Sequence, residues 1–259
     1  MSDSLPTLWH IELSHYSEKA RWALAYKGVE HRRHAPVPGM HMVAAMFLTR
    51  GAGKTFPILQ IDGSTFADST EVIGALEDRY PEPPLYPADP EQRRRALELE
   101  DHFDEELGPH VRRLGFHELR KDPERMKELM ARTAPGPLAK AAGPTAAYAR
   151  VFTNLRFGAA DVEAAAVARE KIVAGFDRLE RDLNGNEYLV GDTFTVADLT
   201  AAALLNPIVL PDGGPVPNEQ PPPRGMEDFR EPLKDREGFR WVQEMYARHR
   251  HPAKTTAAA

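Results

Sequence analysis

Apolar and polar positions along the first 80 residues change period several times. Residues 7–11 (TLWHI) form a short apolar run rich in strand formers. After Ser14-His15-Tyr16-Ser17 the period lengthens to that of a helix, with Ala20, Ala23 and Leu24 on one face. It stops at Gly28, a plausible residue just past a helix end. Residues 30–35 read as a short, charged strand, and 39–50 as a weak helical or irregular segment. Residues 57–61 (PILQI) and 64–67 (STFA) flank Asp62-Gly63, a hairpin turn signal. Val72, Ile73 and Leu76 then mark the inner face of a helix over 69–80. The order β-α-β-α-β-β-α, closing on a hairpin, predicts a small α/β domain with a mixed sheet.

Further along the pattern is helical throughout. Leu99, Phe103, Leu107, Val111 and Leu114 recur at steps of three or four, one face of a long helix that Gly108-Pro109 should kink. Ile172, Phe176, Leu179 and Leu183 form a second stripe. Residues 196–205 are almost wholly apolar and must lie at the centre of a bundle. Phe239, Val242, Met245 and Tyr246 predict a last helix before a fraying tail. Residues 134–150, rich in Ala, Gly and Pro, read as a loop.

Proline divides these regions. Of 23 prolines, one group crowds PEPPLYPADP near residues 81–90, and another punctuates 207–232. Proline breaks helices and cannot donate to a sheet, so both stretches read as connectors. The expected division is residues 1–80, a linker at 81–90, and a helical unit over 91–259 with a proline-rich insertion at 207–235.

Composition narrows the chemistry. The 259 residues carry 33 Lys+Arg against 39 Asp+Glu, a formal net charge of -6. That balance argues against nucleic acid as the main partner. No apolar run reaches the roughly 20 residues of a membrane-spanning helix, and the first residues lack the pattern of a secretory signal. There is no cysteine, so no mechanism needing a thiol of these residues is open. His102, His110 and His117 lack metal-site spacing, and no metal is expected. Gly51-Ala52-Gly53-Lys54-Thr55 fails as a phosphate loop, because that pattern needs glycine where Leu48 stands.

Candidate chemistry lies at helix starts. Thr195 with Asp198 three residues later is a capping-box pattern with a structural role. Ser14 or Ser17 could cap the first helix, or a hydroxyl there could donate to a bound thiolate, which the helix dipole favours. Asp68-Ser69 has the same two readings: helix caps, or holders of an ammonium and a carboxylate. At Phe56-Pro57 a trans bond is the default; a cis bond would turn the Phe56 backbone outward toward a ligand's peptide.

Taken in order, SHYSEKARWAL, KTFPIL, ADST, the linker and a helical region with TVAD closely resemble the cytosolic glutathione transferase superfamily. The resemblance spans 5–80 closely and 90–206 more loosely; the proline-rich segment after 207 departs from it. It implies an N-terminal thioredoxin-like domain followed by an all-helical C-terminal domain of the glutathione transferase type. It further implies a cytoplasmic, homodimeric detoxification enzyme with glutathione as cosubstrate. By the same resemblance Ser14 matches the catalytic position, with a theta- or zeta-like serine. Phe56-Pro57 matches the cis-proline step, Asp68-Ser69 the pair that binds the γ-glutamyl end, and Lys54 and His41 the holders of the glycyl carboxylate.

The function so implied is attack of a serine-activated glutathione thiol on a small electrophile. Other glutathione-dependent reactions (isomerisation, dehalogenation, peroxide reduction) and a non-catalytic binding protein on the same scaffold are the alternatives. Ser14 is expected to serve the sulfur because it lies nearest the strand end, whereas Ser17 is already turning into the helix. Tyr16 is its rival, since a phenol is the stronger donor. Arg93, Arg94 and Arg95, followed by Glu98, Glu100 and Asp101, are candidates for pairing across a dimer interface, and the 207–235 segment is expected to cover one side of the electrophile pocket.

Overall fold

β1 (Thr7–Trp9) runs through the middle of a mixed sheet, parallel to β2 (His31–His34) on one side and antiparallel to β3 (Ile58–Ile61) on the other. The computed structural model describes residues 5–36, 40–133, 142–215, 221–252 and 255–256. β4 (Ser64–Ala67) pairs antiparallel with β3 through the Asp62-Gly63 turn, where both residues take positive φ. The strand order is β4-β3-β1-β2-β5, with β5 (Thr255–Thr256) joining β2 in parallel. α1 (His15–Tyr26) and α3 (Ser69–Arg79) pack together against this sheet, and α2 (His41–Leu48) joins β2 to β3.

The linker is held from both sides. Lys27, at the end of α1, donates to the carbonyls of Tyr80 (2.7 Å) and Pro83 (3.0 Å) and pairs with Glu77 at 2.6 Å. The Leu85 carbonyl accepts from the Val196 N–H at 2.9 Å, tying the linker to the helical unit.

That unit contains α4 (Pro90–His102), a π-helical turn (Phe103–Leu107), α5 (Gly108–Leu119), α6 (Pro123–Thr133), α7 (Ala142–Phe157) and α8 (Val162–Leu183). It continues through α9 (Val196–Val209), α10 (Arg224–Arg230), the 3-10 turn Glu231–Leu233 and α11 (Glu237–His249). α9 is the buried axis against which α1, α4, α5 and α11 pack. Its small residues let neighbours approach closely, and the expected capping box opens it. Asp198 accepts from the N–H groups of Leu189 and Thr195 and from the Thr195 hydroxyl, each at 2.8 Å.

Three expectations about elements need correction. Residues 142–150, expected as loop, form the first part of helix α7; alanine is the best helix former, and Pro144 falls in the first turn, where a missing N–H costs nothing. The rest of that expected loop, 134–141, lies outside the described residues. The proline-rich segment is also partly helical. α9 runs through Pro207 to Val209, and the carbonyl this proline leaves without a donor, that of Ala203, takes the Asn206 side-chain amide at 2.6 Å. Only after a left-handed Leu210 does the helix stop, and α10 forms again at 224. Finally, the tail does not simply fray, because residues 255–256 add a strand to the sheet.

Candidate active site

The turn between β1 and α1 brings three hydroxyls together and uses them differently. Ser14 is the N-cap of α1, and its Oγ accepts the Ser17 N–H at 3.2 Å, which leaves its own proton to give. Ser17 is fully buried, and its Oγ accepts the Ile11 N–H at 3.1 Å. The Tyr16 phenol donates to the Asp104 carbonyl at 2.9 Å. Pro109 explains this last bond. The Gly108 N–H bonds the Phe103 carbonyl in the wider π register, so the next carbonyl, Asp104, looks to residue 109, which has no N–H. Burial raises the Tyr16 pKa, so the phenol keeps its single proton and that proton is engaged.

On the sheet side the Phe56–Pro57 peptide bond is cis, against the statistical default. Neither backbone polar group of Phe56 finds a partner among the described residues. Lys54 is exposed and without an ion pair among them, and His41, at the first position of α2, packs edge-on against Phe152 with ring centroids 4.8 Å apart. Burial lowers the His41 pKa. Asp68 caps α3 by accepting the Thr70 N–H at 2.8 Å, with φ at 140°. Ser69 is buried, and its Oγ has no partner among the described residues.

Ser14, Tyr16, His41, Lys54 and Phe56 line one cavity of about 360 Å³; Ser17, Asp68 and Ser69 lie outside its lining. The far wall belongs to the helical unit. Val111, Arg112 and Phe116 come from α5, and Phe152 and Phe157 from α7. Pro207, Leu210, Pro222, Pro223 and Met226 close one side, so the proline-rich segment does form part of the wall. Arg230 fixes it there by donating to the last carbonyls of α9, Val209 at 2.9 Å and Ile208.

Under the site lies a buried ionic cluster. Lys19 is fully buried and reaches Glu100 at 2.9 Å, Asp104 at 2.8 Å and the Thr70 hydroxyl at 2.9 Å. The two carboxylates hold its ammonium charged despite burial. Part of the arginine-rich stretch is also paired within the chain. Glu100 belongs to the interior, Arg94 pairs with Glu91 and Glu98 on its own helix, and Arg95 pairs with Asp182 of α8 at 2.8 Å. These charges are satisfied within the chain.

Two family models match the chain in sequence order. One, described as the glutathione S-transferase N-terminal domain, covers residues 8–84, and the other, the C-terminal domain of the same family, covers 144–222. The chain belongs to the cytosolic glutathione transferase superfamily. Rat and mouse maleylacetoacetate isomerases are each 33% identical over 105 residues, a stretch of 39% of this chain and 48% of the relatives. The match thus spans about half the length of these curated relatives. Among solved structures, a glutathione transferase from Xanthobacter autotrophicus Py2 gives a TM-score of 0.62 at 17% identity, with 96% of each chain covered. A β-etherase from Sphingobium sp. strain SYK-6 gives 0.59 at 22% identity, covering 93% of this chain and 99% of its own. A glutathione transferase from Methylobacterium radiotolerans, solved with glutathione sulfonate, gives 0.52 at 21%, with 99% of each covered. At these identities the structures establish the fold of a glutathione transferase: a thioredoxin-like domain followed by a helical one.

Sequence reasoning expected the long kinked helix to line the pocket, as Val111 does, but missed Arg112, the α7 part of the far wall and the Lys19 cluster. A transferase helix-stripe reading finds core residues, and Arg112, Phe152 and Phe157 lie off the stripes. The usable signal for the cluster was a charged run, Glu18-Lys19, placed where an amphipathic helix turns inward.

Proposed function

We propose that this glutathione transferase family member is a glutathione-dependent enzyme in which Ser14 stabilises the glutathione thiolate. What carries the reading is the hydroxyl assignment at the start of α1. Ser14 lines the cavity and its hydroxyl donates to none of the described residues, the Tyr16 phenol donates to the Asp104 carbonyl, and Ser17 is buried. A free thiol has a pKa of about 8.5, and a hydroxyl donor beside a helix N-terminus favours the charged form. The unpaired Phe56 backbone is suited to a ligand's peptide group, Lys54 and His41 to its glycyl carboxylate, and Asp68 with Ser69 to its γ-glutamyl end. The attached electrophile would occupy the helical side of the cavity, the sulfur forming the new bond as the leaving group departs.

Ser14→Ala should lower kcat/KM at neutral pH by about ten- to hundredfold and move the pH profile of thiolate formation up toward about 8.5. Tyr16→Phe should leave that profile in place. The opposite pattern would hand the role to Tyr16, and glutathione binding without turnover of any electrophile would leave a binding protein.

A second reading is supported by the isomerase relatives. The same thiolate can add to a conjugated cis double bond, allow rotation about the resulting single bond, and leave again with the trans bond restored. A cis-unsaturated diketone distinguishes the two: isomerisation regenerates glutathione, whereas conjugation consumes it mole for mole. A homodimer is part of the proposal, and a monomer mass in light scattering at micromolar concentration would remove it.

A further inference from the structure

Arg112 stands on α5 in the wall of the cavity, and its guanidinium makes no ion pair or hydrogen bond among the described residues. Its Nε is buried. Of the arginines that act on it, Arg113 donates to the Phe157 carbonyl at 3.0 Å, while Arg156 also lines the cavity and lies over the Phe157 ring at 5.5 Å. Arg112 itself lies over the Phe157 ring at 4.5 Å and the Tyr16 ring at 5.4 Å. Ring contact uses the face of a guanidinium and leaves the N–H groups, which lie in its plane, for an acceptor.

Arg112 as a whole is half-buried; a charge partly withdrawn from water without a counter-ion is still costly, and arginine cannot escape by releasing its proton at neutral pH. Burial and the charges of Arg156 and Arg113 lower its pKa, a sign that its surroundings favour an added anion. The cavity lining offers one carboxylate among the described residues, Glu12, which is exposed and lies 3.6 Å from His10. Beside Arg112 the rings of Phe116 and Phe157 stack at 5.6 Å and Phe152 meets Phe157 edge-on at 6.0 Å, a surface that accepts a flat molecule.

We propose that Arg112 binds a carboxylate on the electrophile, so that the substrate class is a planar, aromatic or conjugated electrophile bearing that charge. This rests on the cavity being the electrophile pocket of the proposed enzyme. The Tyr16 ring links Arg112 to the α1 start, so the anchored carboxylate would fix the electrophile beside the sulfur.

The test uses matched pairs that differ only in charge. Calorimetry with unreactive 3,5-dinitrobenzoate and its methyl ester needs no turnover. The wild-type protein should bind the anion at least about tenfold more tightly, and Arg112→Gln should abolish that preference, with Arg112→Lys recovering part of it. The same ratio should appear in kcat/KM for 4-chloro-3,5-dinitrobenzoate against its methyl ester, where the thiolate sulfur replaces chloride and the thiol proton goes to solvent. Equal binding of anion and ester by the wild-type protein overturns the proposal without any variant. So does an anion preference that survives Arg112→Gln, which would point to Arg156. A fall in glutathione affinity matching the lost preference would assign Arg112 to the tripeptide's own carboxylate, and also overturns it. Arg112-dependent anion binding with no turnover would instead sink the thiol-activation reading, and with it the electrophile as the ligand, leaving Arg112 as a carboxylate site of a binding protein.

Discussion

Tyr16, Asp104, Gly108 and Pro109 form one local unit in which each residue is explained by another. Pro109 withholds a donor, Tyr16 replaces it, and Gly108 makes room, since a β-carbon there would lie 2.4 Å from the Tyr16 hydroxyl oxygen and 2.9 Å from its ring. Tyr16→Phe leaves a part-buried carbonyl without a partner and should cost about 1–3 kcal/mol in urea unfolding. Gly108→Ala should cost a similar amount, about 1–3 kcal/mol, by overpacking. Two histidines at the same turn set the response to acid. His10 and His15 are buried, and both pKa values are lowered from 6.5 to about 3, mainly by burial and then by Arg21 and Arg112 respectively. The Arg21 guanidinium meets His10 Nδ1 at 2.8 Å, so that nitrogen accepts and the ring is neutral. The unfolded chain therefore takes up protons that the folded one refuses. Stability held above pH 6.5 is lost as the pH falls toward 3, by about 2 kcal/mol per histidine at pH 5. Asp198, whose pKa burial raises to about 6, acts in the opposite direction, gaining about 1 kcal/mol over the same interval. The net expectation is lower stability at pH 5 than at pH 7, with a shallower slope in His15→Gln; a flat profile would contradict it.

At the scale of elements, the α9 capping box gathers three donors on one carboxylate. Asp198→Ala leaves the Leu189 and Thr195 N–H groups buried without an acceptor and should cost about 3 kcal/mol, read as a lowered urea midpoint. That box was legible in the sequence because its signal is local: a threonine, an acid three residues on, then apolar positions. The hairpin at Asp62-Gly63 and the stripes of α4, α5 and α8 were legible for the same reason. What escaped was set by partners distant in sequence. Pro207 reads as a helix breaker, and only the side chain of Asn206, bonded to Ala203, lets the helix pass. Residues 142–150 read as a loop through their glycine and proline, though both fall in a helix start that tolerates them. In the site, Ser14 and the Phe56-Pro57 step stand out because they border recognisable elements. Arg112 shows nothing in one dimension, since its meaning lies in the counter-ion it lacks.

Across the whole molecule, the cavity wall depends on how the proline-rich segment is attached. Arg230→Ala would strip two buried carbonyls at the end of α9 of their donor. It should cost about 2–4 kcal/mol in stability and raise KM for a bulky electrophile more than it weakens glutathione binding. Unchanged KM values for bulky and small electrophiles alike would make that segment an ornament. The sheet has a dependence of its own on distant residues. Glu18 of α1 is buried between Arg21 at 2.8 Å and Arg250 at 2.6 Å, the Trp22 indole donates to the His249 carbonyl at 3.0 Å, and β5 extends the sheet beyond β2. On a ribosome, residues 249–256 are made long after α1 and β2. The thioredoxin-like unit must therefore wait through synthesis of the whole helical bundle with a buried acid half-neutralised and one strand edge open. A nascent chain halted before residue 249 would be the form of this protein most exposed to chaperones and to edge-to-edge association.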